Sequence, residues 1–119
     1  MGYIYKNITG NTTAILLTRS ELSNTPIKSI NMSNIHASDS VSIDLYLYNT
    51  SDSNPPDAYN DWTVVTTDNR YYIFKSFSIP NGVAIILEGK DLLIDYNRSA
   101  YDLYIKLSAS DSAVDIILN

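Results

Sequence analysis

The sequence predicts an all-β chain: a single-domain antiparallel β-sandwich of about eight to ten short strands, with jelly-roll order among the connectivities that fit. Three observations carry this expectation. Apolar and polar residues alternate with a period of two through most of the chain, and β-branched and aromatic residues fill the alternating stretches. Turn formers such as Gly10-Asn11, Asp68-Asn69 and Pro80-Asn81-Gly82 punctuate it at roughly ten-residue intervals. No amphipathic helix is available to cover an open sheet, so a second sheet has to.

The elements follow in order. Residues 3–9 and 12–18 flank Gly10-Asn11 and read as a hairpin. Residues 19–24 are the one stretch able to form a helical turn, with Ser20 as its N-cap and Pro26 stopping it. Residues 27–35 turn through His36 and Ser40 into 41–49, where Val41, Ile43, Leu45 and Leu47 share one face and Ser42, Asp44, Tyr46 and Tyr48 the other. Residues 50–61 hold two prolines and no periodicity, and read as the longest loop. Short strands are then expected at 62–66, 71–79, 83–88, 92–96, 101–108 and 113–118.

One phrase recurs. Ala-Ser-Asp-Ser stands at Ala37-Ser38-Asp39-Ser40 and again at Ala109-Ser110-Asp111-Ser112, each between alternating stretches, and each copy is predicted as a β-hairpin. Aligning the copies matches Ile35 with Leu107, but the agreement downstream needs a one-residue gap. Shared turn chemistry accounts for that better than an internal duplication.

Composition bounds the function. A chain of 119 residues suits one domain, 1–119, around one core. No apolar run approaches the roughly 18 to 20 residues that cross a bilayer, so no membrane partner is expected. Met1 and Gly2 lead straight into a strand pattern with no secretory leader, which makes synthesis in a cytoplasm the expectation. The five Asn-x-Ser/Thr triplets, starting at Asn7, Asn11, Asn31, Asn49 and Asn97, then follow from composition. The absence of cysteine removes disulfides, thiolate metal sites and cysteine nucleophiles. A net charge of -5 with scattered basic residues opposes nucleic-acid binding.

Little in the sequence points to catalysis. The only histidine, His36, sits in a predicted turn beside Asp39, Ser38 and Ser40, where adjacent residues do not make an oriented triad. Asp44, Glu88, Asp95, Asp102 and Asp115 lie in or at the ends of strands, and nothing in their spacing pairs them. Asp52, Asp57 and Asp61 lack the spacing and closing glutamate of a calcium loop, so neither a metal nor another cofactor is expected.

Ten tyrosines against two phenylalanines and one tryptophan are the stronger signal. Tyr46, Tyr48 and Tyr104 fall on the face opposite their aliphatic neighbours and are the candidate interface, since tyrosine combines a stiff apolar body with a polar tip. Asp57, Tyr59, Asp61 and Trp62 form a candidate ligand loop, with Tyr59 and Trp62 placed to stack on a sugar.

The run Y-Y-I-F-K-S-F-S-I-P-N-G-V-A-I-I-L-E-G-K-D-L-L-I-D-Y at 71–96, the run Y-D-L-Y-I-K-L-S-A at 101–109 and the phrase at 30–47 resemble small virion structural proteins of tailed bacteriophages, especially those of marine and cyanobacterial hosts. The resemblance covers the chain from about residue 27 onward. It implies an all-β accessory subunit of the virion, above all a capsid decoration (cement) protein, that docks on capsid subunits as a homo-oligomer. A neck or tail accessory role, and a carbohydrate-binding or host-adhesion module, are the alternatives. The family carries no catalytic residues to transfer, and none of these roles is an enzyme's.

Overall fold

The computed structural model describes residues 3–24, 26–48, 70–92, 94 and 101–119. Its eight strands are β1 (Ile4–Thr9), β2 (Thr13–Leu17), β3 (Ser29–Asn34), β4 (Val41–Tyr48), β5 (Arg70–Ile79), β6 (Ala84–Glu88), β7 (Asp102–Leu107) and β8 (Ala113–Leu118). They form two antiparallel four-stranded sheets, ordered β1-β8-β3-β6 and β2-β7-β4-β5, packed as an all-β sandwich.

The pairing is nested. β1 pairs with β8, β2 with β7, β3 with β6 and β4 with β5, so the chain runs as one long antiparallel ribbon doubled back between β4 and β5. Rolling that ribbon adds the contacts β3·β8 and β4·β7 and closes two sheets of four. This is jelly-roll order.

The nesting corrects the expected hairpins. β1 and β2 lie in different sheets, as do β3 and β4, and β7 and β8. Gly10-Asn11 and both Ala-Ser-Asp-Ser segments are therefore corners that carry the chain between sheets. Turn chemistry reverses the chain either way, and only the partner strand separates a corner from a hairpin. The corners meet at one end of the sandwich: the Gly10 N–H donates to Ser112 O at 2.8 Å, and the Ile35 N–H to Ala113 O at 3.0 Å. Gly10 reaches this contact at φ 80°, where a glycine avoids the Cβ penalty.

Two local expectations also change. The helical turn is α1 (Arg19–Asn24), and its cap is Thr18 in place of Ser20. Glu21 Oε1 accepts the Thr18 N–H at 2.8 Å, and the Glu21 N–H reaches back to Thr18 Oγ1 at 3.4 Å, the reciprocal bonding of a capping box. The strand expected at 92–96 is not seen at Leu92 or Ile94; Gly89–Asp91 forms a 3-10 turn, and Leu92 caps it from the core. The strand expected at 62–66 lies outside the described residues.

The inner faces fill as alternation dictates. Ile30, Met32, Ile116 and Leu118 from one sheet meet Ile43, Leu45, Leu103, Ile105 and Leu107 from the other, all essentially inaccessible to water. Burying each such side chain contributes about 1.5–3 kcal/mol relative to leaving it exposed. Two polar residues, Asn34 and Ser112, are buried at the corner end. Asn34 is buried, its Nδ2 donating to Asp39 O at 2.8 Å and Ile79 O at 2.9 Å while its Oδ1 accepts the His36 N–H. That amide fastens the corner after β3 to the end of β5, with its hydrogen-bonding groups satisfied.

Candidate functional site

Two groupings of side chains carry the chemistry of the described residues. The first is at the corner end. His36 Nδ1 accepts two backbone N–H bonds, from Ser38 at 3.0 Å and Asp39 at 2.9 Å. Its Nε2 faces the Asp111 carboxylate at 3.1 Å and that of Asp39 at 3.9 Å. The equivalent aspartates of the two Ala-Ser-Asp-Ser segments thus converge on one imidazole. Asp39 was a legible neighbour, but Asp111 was not.

This pattern assigns the tautomer. With Nδ1 occupied as an acceptor, the neutral ring carries its proton on Nε2 and donates to Asp111. Neither nitrogen then has a lone pair free to take a proton from a substrate. Ser38 Oγ bonds Asp39 Oδ1 at 3.2 Å. His36, Asp39 and Asp111 are close enough together to hold a cation. A metal on Nε2, however, would move the proton to Nδ1, where two N–H groups already point. The trio fits a clasp between corners better than a metal centre.

The strand carboxylates are separately engaged. Asp44 Oδ1 accepts the Ser76 N–H at 2.6 Å, Glu88 pairs with Lys90 at 3.5 Å, and Asp115 accepts from Asn7. Asp102 takes the Arg19 N–H at 2.6 Å and the Arg19 guanidinium at 3.4 Å, which docks the first turn of α1 on β7. Asp95 lies outside the described residues, as do Asp52, Asp57, Tyr59, Asp61 and Trp62.

The second grouping is aromatic. Strand register sets Ile15, Tyr104, Tyr46 and Tyr72 in one row across all four strands of the β2-β7-β4-β5 sheet, on its outer face. Tyr46 and Tyr104 stack with centroids 5.5 Å apart and planes 9° from parallel, Tyr72 tilts onto Tyr46 at 5.2 Å, and Tyr48 meets Tyr104 edge-on at 5.6 Å. Arg70 lies over the Tyr48 and Tyr46 rings at 5.0 and 5.7 Å, and Lys75 over Tyr72 at 5.0 Å, cation–π distances.

The three predicted interface tyrosines are therefore brought together on one face, with a correction. Tyr46 was expected to be free for contact, yet it is only 4% exposed because its neighbours cover it. Tyr72 at 37% and Ile15 at 42% present more surface, and sequence reasoning missed both. The signal that finds them is register, a long-range quantity.

Burial pushes the phenols of Tyr46 and Tyr104 above the ordinary tyrosine pKa, with Arg70 partly opposing the shift at Tyr46 and Asp102 adding to it at Tyr104. Both stay protonated at neutral pH, as donors on an otherwise apolar row. At 4% exposure Tyr46 offers no open ring for a sugar to stack on. Comparison with protein-family models, with curated proteins and with solved structures finds no match to this chain.

Proposed function

We propose that this chain is a virion structural protein: an assembly subunit, most of all a capsid decoration protein, that docks on neighbouring capsid or neck and tail subunits. One observation carries the reading. The row Ile15, Tyr104, Tyr46, Tyr72 crosses all four strands of one sheet with aromatic and aliphatic side chains, stiffened by ring stacking and edged by Arg70 and Lys75. A face of rigid tyrosines carrying polar tips is the composition favoured at the centres of protein interfaces. The sandwich order and the resemblance of 71–96 and 101–109 to phage virion proteins give the same direction.

Mass spectrometry and electron cryo-microscopy of purified particles from the source of this chain test the role. The chain should be present in stoichiometric amounts, with the tyrosine row against a neighbour. Its absence from the particle ends the proposal. Tyr72→Asp, a change at a partly exposed position, should lower the melting temperature somewhat because it uncovers Tyr46, yet leave the chain folded and weaken particle binding by about tenfold or more.

A further inference from the structure

The two sheets treat their edges differently. In the β2-β7-β4-β5 sheet both edge strands are irregular: register shifts between Ile15 and Leu17 on β2, and β5 carries two shifts, with Ser76 at φ 55°. Bulges of this kind twist an edge away from further pairing. In the β1-β8-β3-β6 sheet neither edge is interrupted: β1 pairs with β8 over six residues, and β6 with β3 over five, in unbroken register. Among the described residues no strand pairs with the outer side of β1 or β6.

A second observation singles out the same strands. Tyr5 at 71% and Ile86 at 64% are the most exposed large hydrophobic side chains among the described residues. Tyr5 lies opposite Ile117, Ile117 opposite Asn31, and Asn31 opposite Ile86, so the two end one row on one face, at opposite edges.

From this we infer that the molecule self-associates head to tail, the β6 edge of one copy pairing antiparallel with the β1 edge of the next. The inference rests on the assembly role proposed above and names a second copy as one of its partners. The sheet has four strands of alternating direction, so an antiparallel joint between β6 and β1 keeps the alternation with every copy the same way up. Such a joint is heterologous and propagates into a ring or a filament.

The side chains fit one register. With Tyr5 opposite Ile86 of the next copy, Ile4 faces Leu87, Tyr3 faces Glu88 and Asn7 faces Ala84. Ile4 and Leu87 are half-buried residues at the rims of their cores, and the joint would complete the burial of both. Tyr3, 61% exposed, brings a phenol to the Glu88 carboxylate. Lys6 keeps its ammonium on Ile15 O of its own copy and lays its stem over Ile85. At the joint β1 contributes Lys6 and no acid, while β6 contributes Glu88, itself paired with Lys90, so no like charges oppose each other between the two strands.

The absence of cysteine makes a clean test. Directly opposed residues of an antiparallel pair have Cα atoms about 5 Å apart, within disulfide reach. Tyr5→Cys and Ile86→Cys chains, mixed and gently oxidised, should link about tenfold faster than either alone, and the chain carrying both changes should give a ladder of multimers. Either single variant linking as fast as the mixture would show symmetric pairing and overturn the proposal. So would a doubly substituted chain that stays monomeric at about 0.5 mM, a concentration where even millimolar affinity leaves a visible dimer. Ile86→Lys, at an exposed position, should lower the sedimentation coefficient of the otherwise unaltered chain at high concentration without moving its melting curve; an unchanged coefficient counts against the joint. Absence of the chain from purified particles would end the docking role and leave the ladder in place, so the two failures read differently.

Discussion

His36 and Asp111, 75 residues apart, meet through a hydrogen bond of 3.1 Å that ties the first Ala-Ser-Asp-Ser corner to the second. Both corners carry the chain between sheets, so this bond holds the open end of the sandwich together.

Asp111→Ala should destabilise the protein by about 1 kcal/mol, the usual net contribution of one hydrogen bond, and His36→Ala by more, because it also removes the acceptor of the Ser38 and Asp39 N–H groups. Their effects should be non-additive, because each removes the same bond. Urea melts of the wild type, both single variants and the double variant give the coupling. Strict additivity would show that the clasp contributes nothing.

Leu45 and Tyr46 are neighbours on β4 that face opposite sides, and both are nearly inaccessible. Leu45→Ala should cost about 2–5 kcal/mol through a core cavity, and Leu45→Asp should prevent folding by placing an unpaired charge there. Tyr46→Ala should cost about 3 kcal/mol, since it empties the centre of the tyrosine row. Circular dichroism on heating checks both positions. Unchanged stability in Tyr46→Ala would mean that the row does not pack as described.

Much of this was legible in the chain, and the remainder has a physical reason. Alternation through Val41, Ile43 and Leu45 identified which side chains face inward, because period two depends only on local geometry. It could not say which strand lies beside which. The pairing of β1 with β8 is set by burial summed over the whole sandwich, so Gly10-Asn11 looked like a hairpin and proved a corner. The burial of Tyr46 and the approach of Asp111 to His36 fail to show in sequence for the same reason: each depends on residues from a strand or corner far along the chain. A duplication of the two segments also loses ground. Ile35 and Leu107, matched by aligning the repeats, are 53% exposed and fully buried respectively.

Alkaline pH should weaken the fold. Tyr46 and Tyr104 have folded pKa values raised by burial, while in the unfolded chain both return to about 10. Above that value the unfolded state loses protons that the folded state keeps, so stability is fully present below about pH 10 and is lost as pH rises through the folded values. Melting temperatures should be level from neutrality to about pH 9 and fall beyond it, and Tyr46→Phe should flatten part of the fall. An equally steep fall in that variant would assign the effect to other groups.

Gly89 is a backbone constraint. A Cβ at this position would press on the Ile27 carbonyl oxygen, which belongs to backbone and cannot swing away. The Gly89 N–H also donates to Lys28 O at 2.8 Å, fixing the close approach. Gly89→Ala should cost about 1–3 kcal/mol, an overpacking penalty, whereas Gly82→Ala should cost less because only its φ of 74° is strained. Denaturant midpoints of the two variants should rank in that order.

The nested ribbon also governs how quickly the native state can be reached. Ile4 opposes Leu118, the widest separation in the fold, and joining two such segments directly would close a loop of nearly the whole chain. If β4·β5 forms first, each outer pair needs only a short closure on the pair inside it, and the entropy of loop closure is met in small steps. Folding then advances from the middle of the chain toward its two ends, and β1 with β8 locks last. Contacts of such long range place the chain among slow-folding β topologies.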